Sequence, residues 1–264
     1  MSELIEQSLN EGGVLTLTLH DEKRRNALSE QMLEDLGRLI KQAGANVGVR
    51  VVVLKAVGSA FSAGHDLKEL TVARSNSDGG KAYFTKIMDM CAGVMQSVVN
   101  CPKPIIAQVD GVATAAGCQL VASCDLAVAS DASRFSTPGV NIGLFCSTPM
   151  VALSRNISNK HAMEMLLTGD MISAHRAAQI GLINDAVPQD DLEQTVMKMA
   201  KKIASKSSHT VKIGKTAFYQ QSEMPLADAY QFAANVMVEN MMTNDANEGI
   251  SAFIEKRTPK WKDS

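Results

Sequence analysis

Apolar and polar positions alternate through Val14-Leu-Thr-Leu-Thr-Leu19, the period of a strand with one face in the core. A polar turn, Asp21-Glu-Lys-Arg-Arg-Asn26, follows it. Ser29 stands where it can cap a helix whose apolar residues Met32, Leu33, Leu36, Leu39 and Ile40 recur on one face. Val51-Val-Val-Leu54 is unbroken apolar sequence, as in a strand covered on both sides. Residues 73–80 have the composition of a mobile loop. Beyond it, Phe84, Ile87, Met88, Cys91, Val94, Met95 and Val98 stripe a second amphipathic helix, closed by Pro102 and Pro104. Ile105-Ile-Ala-Gln-Val109 is the next strand, and strand-then-helix order recurs through Leu126–Ala129 and Ile183–Val187. That order predicts right-handed crossovers and an α/β architecture. After about Asp190 the strands stop, and helical patterns occupy Leu192–Ala204, Lys212–Gln221, Leu226–Met242 and Asn247–Lys256. The expectation is an α-helical C-terminal region packed on an α/β core.

Composition narrows the function classes. The 264 residues, 45% hydrophobic, can bury the core of one large domain or of a domain with an appendage. A net charge of −2 and the lack of a concentrated basic run argue against nucleic-acid or anionic-membrane partners. No apolar run approaches the roughly eighteen residues of a membrane helix. The first residues are acidic and carry no apolar h-region, so they read as neither signal nor transit peptide. Five cysteines, odd in number and in apolar surroundings, fit reduced core thiols and show no zinc-type spacing. Cytoplasm is therefore the expected compartment. Neither a Gly-x-Gly-x-x-Gly turn, nor a P-loop, nor His-Glu-x-x-His, nor a Gly-x-Ser-x-Gly elbow is present.

The chemistry lies in two turns of small residues, each following a β-like run: Phe61-Ser-Ala-Gly-His-Asp-Leu67 and Gly111-Val-Ala-Thr-Ala-Ala-Gly-Cys-Gln119. In such turns a backbone N–H can face a ligand without side-chain obstruction. Two such donors converging on one carbonyl make an oxyanion hole. Each turn taken alone is equally a tight strand-to-helix connection that needs Gly for its own geometry.

Together these segments, with the chain from about Leu15 to Lys262, resemble the crotonase (enoyl-CoA hydratase/isomerase) superfamily, and within it the enoyl-CoA hydratase domain-containing branch. The resemblance implies a spiral of β-β-α turns over residues 1–190. It implies that residues 191–264 form helices that build a homotrimer, often paired into a hexamer, and that help cover the coenzyme. It assigns the oxyanion donors to the N–H groups of His65 and Ala116, with Gly117 allowing close approach; the family usually has Gly where Ala115 and Ala116 stand. Its two catalytic glutamates fall at Gln119 and, within Phe135-Ser-Thr-Pro-Gly139, at Gly139. An amide neither takes nor gives a proton usefully near neutral pH, and Gly has no side chain. Losing general acid–base help costs about 10²–10⁴-fold per group, so ordinary hydration is disfavoured. Restoring both acids, Gln119→Glu with Gly139→Glu, is expected to create crotonyl-CoA hydration. His65 and a variant of Val140-Asn-Ile-Gly143 also occur in decarboxylase-like members, where loss of CO₂ itself generates the enolate.

For coenzyme A, the resemblance points to Lys23, Arg24, Arg25 and Lys68 as phosphate partners and to Ala63 as a backbone contact to adenine. Phe253 and Lys256, in a closing helix, cover the coenzyme, often from a neighbouring subunit. No tightly bound cofactor is implied; coenzyme A enters as part of an acyl-CoA substrate. Asp66 and Asp125 read as loop-bracing carboxylates, Asp131 as a turn cap, Cys146 as a core thiol on the active-site loop, and Met237, Met241 and Met242 as core or trimer contacts. Two functions stay open: an acyl-CoA enzyme of the hydratase/isomerase type, with decarboxylation or thioester hydrolysis fitting better than hydration, or a non-catalytic acyl-CoA binder or scaffold.

Overall fold

The computed structural model describes residues 4–264. Its strands are β1 (Ile5–Leu9), β2 (Val14–Leu19), β3 (Val51–Ala56), β4 (Ala60–Ser62), β5 (Ile105–Val109), β6 (Val112–Thr114), β7 (Leu126–Ser130), β8 (Arg134–Ser136), β9 (Ile172–Ser173) and β10 (Asp185–Val187). The helices are α1 (Glu30–Ala45), α2 (Leu67–Ala73), α3 (Lys81–Asn100), α4 (Ala116–Ser123), α5 (Ser147–Asn156), α6 (Asn159–Thr168), α7 (Ala174–Gln179), α8 (Gln189–Ala204), α9 (Ser208–Gln221), α10 (Leu226–Met241) and α11 (Asn244–Ile254). Six strands form one sheet in the order β1-β2-β3-β5-β7-β10, and four short ones form a second, β4-β6-β8-β9. Apart from β1–β2 and β8–β9, all pairs are parallel. Three successive windings, starting at β3, β5 and β7, each place one strand in the long sheet, the next in the short sheet, and then a helix. This is the β-β-α spiral with a helical C-terminal region that the resemblance implies.

Both faces of the long sheet are covered. Leu17, Leu19, Val52, Leu54 and Ile105 face α1 and α3, while Val14, Val51, Val53, Ile106 and Val128 pack against Leu192, Val196 and Ala200 of α8. The half-buried reading of Val14–Leu19 is thus corrected: Thr18 is buried and Thr16 only partly exposed, because a helix distant in sequence lies across that face. Each such Val or Leu contributes roughly 1.5–3 kcal/mol on burial.

Helix ends follow their caps. Ser29 Oγ accepts the Met32 N–H at 3.3 Å. α9 starts before Lys212 because Ser207 Oγ accepts the Thr210 N–H, and α11 starts at Asn244 because Thr243 Oγ1 accepts the Ala246 N–H. α11 then stops at Ile254, and Lys256 takes a left-handed conformation with φ +54°. Asp78, in the segment read as a loop, caps α3 through the Gly80 and Ala82 N–H groups.

Candidate active site

The short sheet exists to bring the two small-residue turns together. β4 and β6 pair in parallel, Ala60 with Val112 and Ser62 with Ala113, so both strands end at the same level. Immediately beyond, the turns interlock through glycines. A Cβ on Gly64 (φ +85°) would sit 2.9 Å from Ala115 Cβ, 3.0 Å from Thr114 O and 3.2 Å from Ala116 N. One on Gly117 would sit 2.3 Å from Ser62 O. Thr114 Oγ1 donates to Ala63 O at 3.2 Å, and Ala115 N–H donates to Ser136 O at 3.0 Å, fixing the junction from both sides.

Two amides at this junction lack internal acceptors. Leu28 N–H donates to Gly64 O at 2.7 Å, and no backbone or side-chain acceptor among the described residues takes the His65 N–H. Ala116 opens α4, where the first N–H groups have no intrahelical partner, and no side chain caps it. The positive end of the helix dipole adds to its pull on an anion. Ala115 is bent to φ +50°, ψ −119°, a conformation L-residues rarely adopt and one that sets the direction in which α4 begins.

Around the amides, side chains are buried and neutral. His65 is held below its ordinary value of 6.5 by burial, with the Leu28 backbone a weaker opposing influence, so the ring is neutral near pH 7. Neither ring nitrogen meets hydrogen-bond geometry with any described group. Gln119, 4% exposed, has its amide oxygen unpartnered, as do the hydroxyls of Ser136 and Thr137. Seven buried side-chain atoms among the described residues make no hydrogen bond; one, Asp21 Oδ2, is ion-paired with Arg24, and five of the other six belong to these four residues, so the polar deficit is concentrated here rather than scattered. The pattern was not legible beforehand for Ser136 and Thr137, which sequence reasoning passed over as part of the Phe135–Gly139 phrase.

Gly139 lies in a short 3-10 turn, Pro138–Ile142, and has no room for a side chain: a Cβ there would lie 2.9 Å from both Cys146 Sγ and Leu144 O. The expectation that Gly139→Glu simply restores an acid therefore fails on packing; residues 144–146 must move first. Burial disfavours the thiolate form of every cysteine. Burial pushes Cys91 and Cys118 up to about 12 and also raises Cys101, Cys124 and Cys146.

The basic turn is anchored beside the first small-residue turn. Asn26, absent from the candidates, is fully buried and donates to Val57 O and Ala60 O, both at 2.8 Å, while Arg25 O accepts the Ala63 N–H. Lys23, Arg25 and Lys68 are exposed and make no ion pair with the described residues. Arg24 is already held, 2.6 Å from Asp21, 3.6 Å from Asp66 and 3.9 Å from Glu69. Asp66 braces the loop as expected, accepting the Lys68 N–H at 2.9 Å. Asp125 does so too, accepting from Ile105 N–H, Lys215 Nζ and Tyr219 OH. Asp131 uses its backbone rather than its side chain, donating N–H to Val187 O. Within one chain Phe253 and Lys256 are not brought to the turns: α11 packs on α9 and α10, and Phe253 is 85% exposed. A hollow of about 300 Å³ lined by Pro104, Asp125, Lys215, Phe218 and Tyr219 lies away from the junction and has its polar groups satisfied.

A two-sheet β-β-α spiral with interlocked glycine turns and a helical C-terminal region defines a crotonase-fold protein. The chain belongs to the enoyl-CoA hydratase/isomerase family, which it matches over residues 10–264. It is 50% identical over 249 residues to rat enoyl-CoA hydratase domain-containing protein 3, mitochondrial, covering 94% of this chain and 81% of that one. The human protein of the same name is 47% identical over 249 residues, at 94% and 80% coverage. A crystal structure of the human protein superposes with TM-score 0.93 at 45% identity, covering 98% of this chain and all of that one. An enoyl-CoA hydratase from Mycobacterium smegmatis superposes with TM-score 0.94 at 47% identity, covering 98% and 99%. The relatives named mitochondrial overturn the cytoplasmic expectation. Reduced thiols, modest charge and the lack of an apolar span, on which that expectation stood, do not distinguish one aqueous reducing compartment from another.

Proposed function

We propose that this protein binds an acyl-CoA thioester and polarises its carbonyl between the N–H groups of His65 and Ala116, without a carboxylate acid or base. The carrying observation is the approach of the two turns, with Ala116 N 3.2 Å from the Cβ position of Gly64 and neither amide bonded internally. Each donor aimed at a developing oxyanion is worth about 10²–10³-fold in rate. The groups at the junction are neutral near pH 7: an amide at 119, no side chain at 139, and an imidazole held uncharged by burial. That inventory suits a reaction in which the substrate supplies its own electron pair, as when a carboxylate α to the thioester leaves as CO₂ and its bonding electrons form the enolate. Thioester hydrolysis is the second enzymatic reading, with water as nucleophile oriented by Gln119.

Lys23, Arg25 and Lys68 would meet coenzyme A phosphates. Phe253 and Lys256 would cover the coenzyme of a neighbouring copy in a homotrimer or hexamer, and the exposure of Phe253 on α11 and of Lys256 just past its end supports this. Coenzyme A is then substrate, with no resident cofactor. A non-catalytic acyl-CoA binder is the competing function, favoured by the same lack of titrating groups. Titration calorimetry and product analysis with enoyl-, malonyl-type and saturated acyl-CoAs separate the two: turnover of a malonyl-type ester supports the enzyme, and tight binding with no product across the panel supports the binder. Crotonyl-CoA hydration at ordinary enzymatic rates, or no binding of any acyl-CoA, contradicts the proposal.

A further inference from the structure

The first small-residue turn is held along one side by the segment that precedes α1. Asn26 sits within that segment, fully buried, with both polar atoms of its side chain bonded. Its Oδ1 accepts the Asp21 N–H at 2.8 Å, and its Nδ2 donates to Val57 O and Ala60 O, both at 2.8 Å. Ala60 opens β4, the strand that runs into the turn. Two backbone rungs continue the contact: Ala63 N–H donates to Arg25 O at 3.0 Å, and Leu28 N–H donates to Gly64 O at 2.7 Å. The second rung fixes a direction, because the C=O and the following N–H of a planar trans peptide point opposite ways. With Gly64 O turned to Leu28, the His65 N–H is turned away from this ladder and meets no acceptor among the described residues.

The residue type follows from the backbone. Asn26 has φ +50° and Arg25 φ +54°. Gly, Asn and Asp tolerate this left-handed region best. Of these, Gly has no side chain and ionised Asp no donor, so Asn alone supplies two donated bonds and an acceptor there. We infer that Asn26 is a positioning residue of the oxyanion hole: by pinning residues 25–28 to residues 57–64, it fixes the plane of the Gly64–His65 peptide and so the aim of the His65 N–H. This rests on the acyl-CoA reading given above. Asn26 is sealed from solvent and acts only through that peptide. A misplacement of about 1 Å in a donor of this kind can cost about 10²-fold in rate.

The test is isotope-edited infrared difference spectroscopy of butyryl-CoA labelled at its thioester carbonyl carbon, bound to the wild type, Asn26→Asp, Asn26→Gly and Lys215→Met. Both substitutions at 26 suit left-handed backbone, and both remove the donated bonds. The carbonyl band should fall in frequency on binding to the wild type, and the two Asn26 variants should lose most of that fall. Their affinity for free coenzyme A, by titration calorimetry, should be unchanged. Lys215→Met, which weakens the fold away from the junction, should keep the full fall. A full fall in both Asn26 variants, an equal loss in Lys215→Met, or a matching loss of free coenzyme A affinity in the Asn26 variants overturns the inference while leaving the oxyanion hole standing. No fall in the wild type overturns the proposed function as well. Should neither Asn26 variant fold, amide-resolved hydrogen exchange of the ligand-free wild type decides. The Leu28 and Ala63 N–H groups should exchange only on global unfolding, and fast exchange at either shows a ladder too loose to aim the peptide and overturns the inference.

Discussion

His65 joins two roles in one residue: its backbone N–H is free at the junction, and its ring is buried beside it. A ring whose folded pKa lies below its unfolded value of 6.5 binds fewer protons when folded, so stability falls as pH drops through 6.5 toward the folded value. Replacing it with Asn should remove that slope; thermal melts between pH 5 and 8 should show the wild-type advantage shrinking on the acid side, and parallel curves would contradict the assignment. The glycines are equally testable. Gly117→Ala places a methyl 2.3 Å from Ser62 O and should cost several kcal/mol, about 3 or more by comparison with overpacked cores. Ala115→Gly relaxes the φ +50° strain and should stabilise the fold by about 1 kcal/mol, read as a raised denaturation midpoint.

Elements were legible in the sequence in proportion to their length and their independence from distant partners. α1 and α3 carry long apolar stripes and sit where the pattern puts them, and Val51–Leu54 is the doubly covered strand its unbroken run predicts. The short sheet was not visible as a sheet, because strands of two or three residues such as Ala60–Ser62 and Val112–Thr114 carry no period-2 signal. The site was read from composition and family likeness, whereas the crowding above Gly139 depends on a loop folding back, which local pattern cannot encode. The C-terminal helices are tied by polar groups that sequence reading did not assemble. Lys215 Nζ, inserted between Val98 O, Lys103 O and Asp125 Oδ2, pins α9 to the end of α3. Lys215→Met, which strands the partly buried Asp125 carboxylate, should lower stability by about 3 kcal/mol in urea unfolding. Asp245, buried at the start of α11, accepts the N–H groups of Lys262 (2.7 Å) and Asp263 (2.9 Å) and straps the C-terminal tail down. Asp245→Ala should free that tail to proteolysis at much lower denaturant than the rest of the chain; an unchanged cleavage pattern would show the strap to be dispensable.

At the scale of the whole molecule, the C-terminal helices leave Leu226, Tyr230, Met237, Val238, Met241, Met242, Phe253 and Ile254 more than half exposed. A patch of that size on a chain with net charge −2 implies cover by another surface, which favours the proposed homotrimer or hexamer. Light scattering should give three or six chains per particle, and Met237→Glu with Met241→Glu should release single chains; a wild-type monomer at tens of micromolar would contradict this. The account turns on one geometric claim, that two main-chain amides from separate turns meet on a thioester oxygen. A crystal structure with a saturated acyl-CoA tests it most directly. The carbonyl oxygen should lie about 2.7–3.1 Å from both His65 N and Ala116 N. A thioester bound elsewhere, or amides turned away and bonded within the protein, would contradict it.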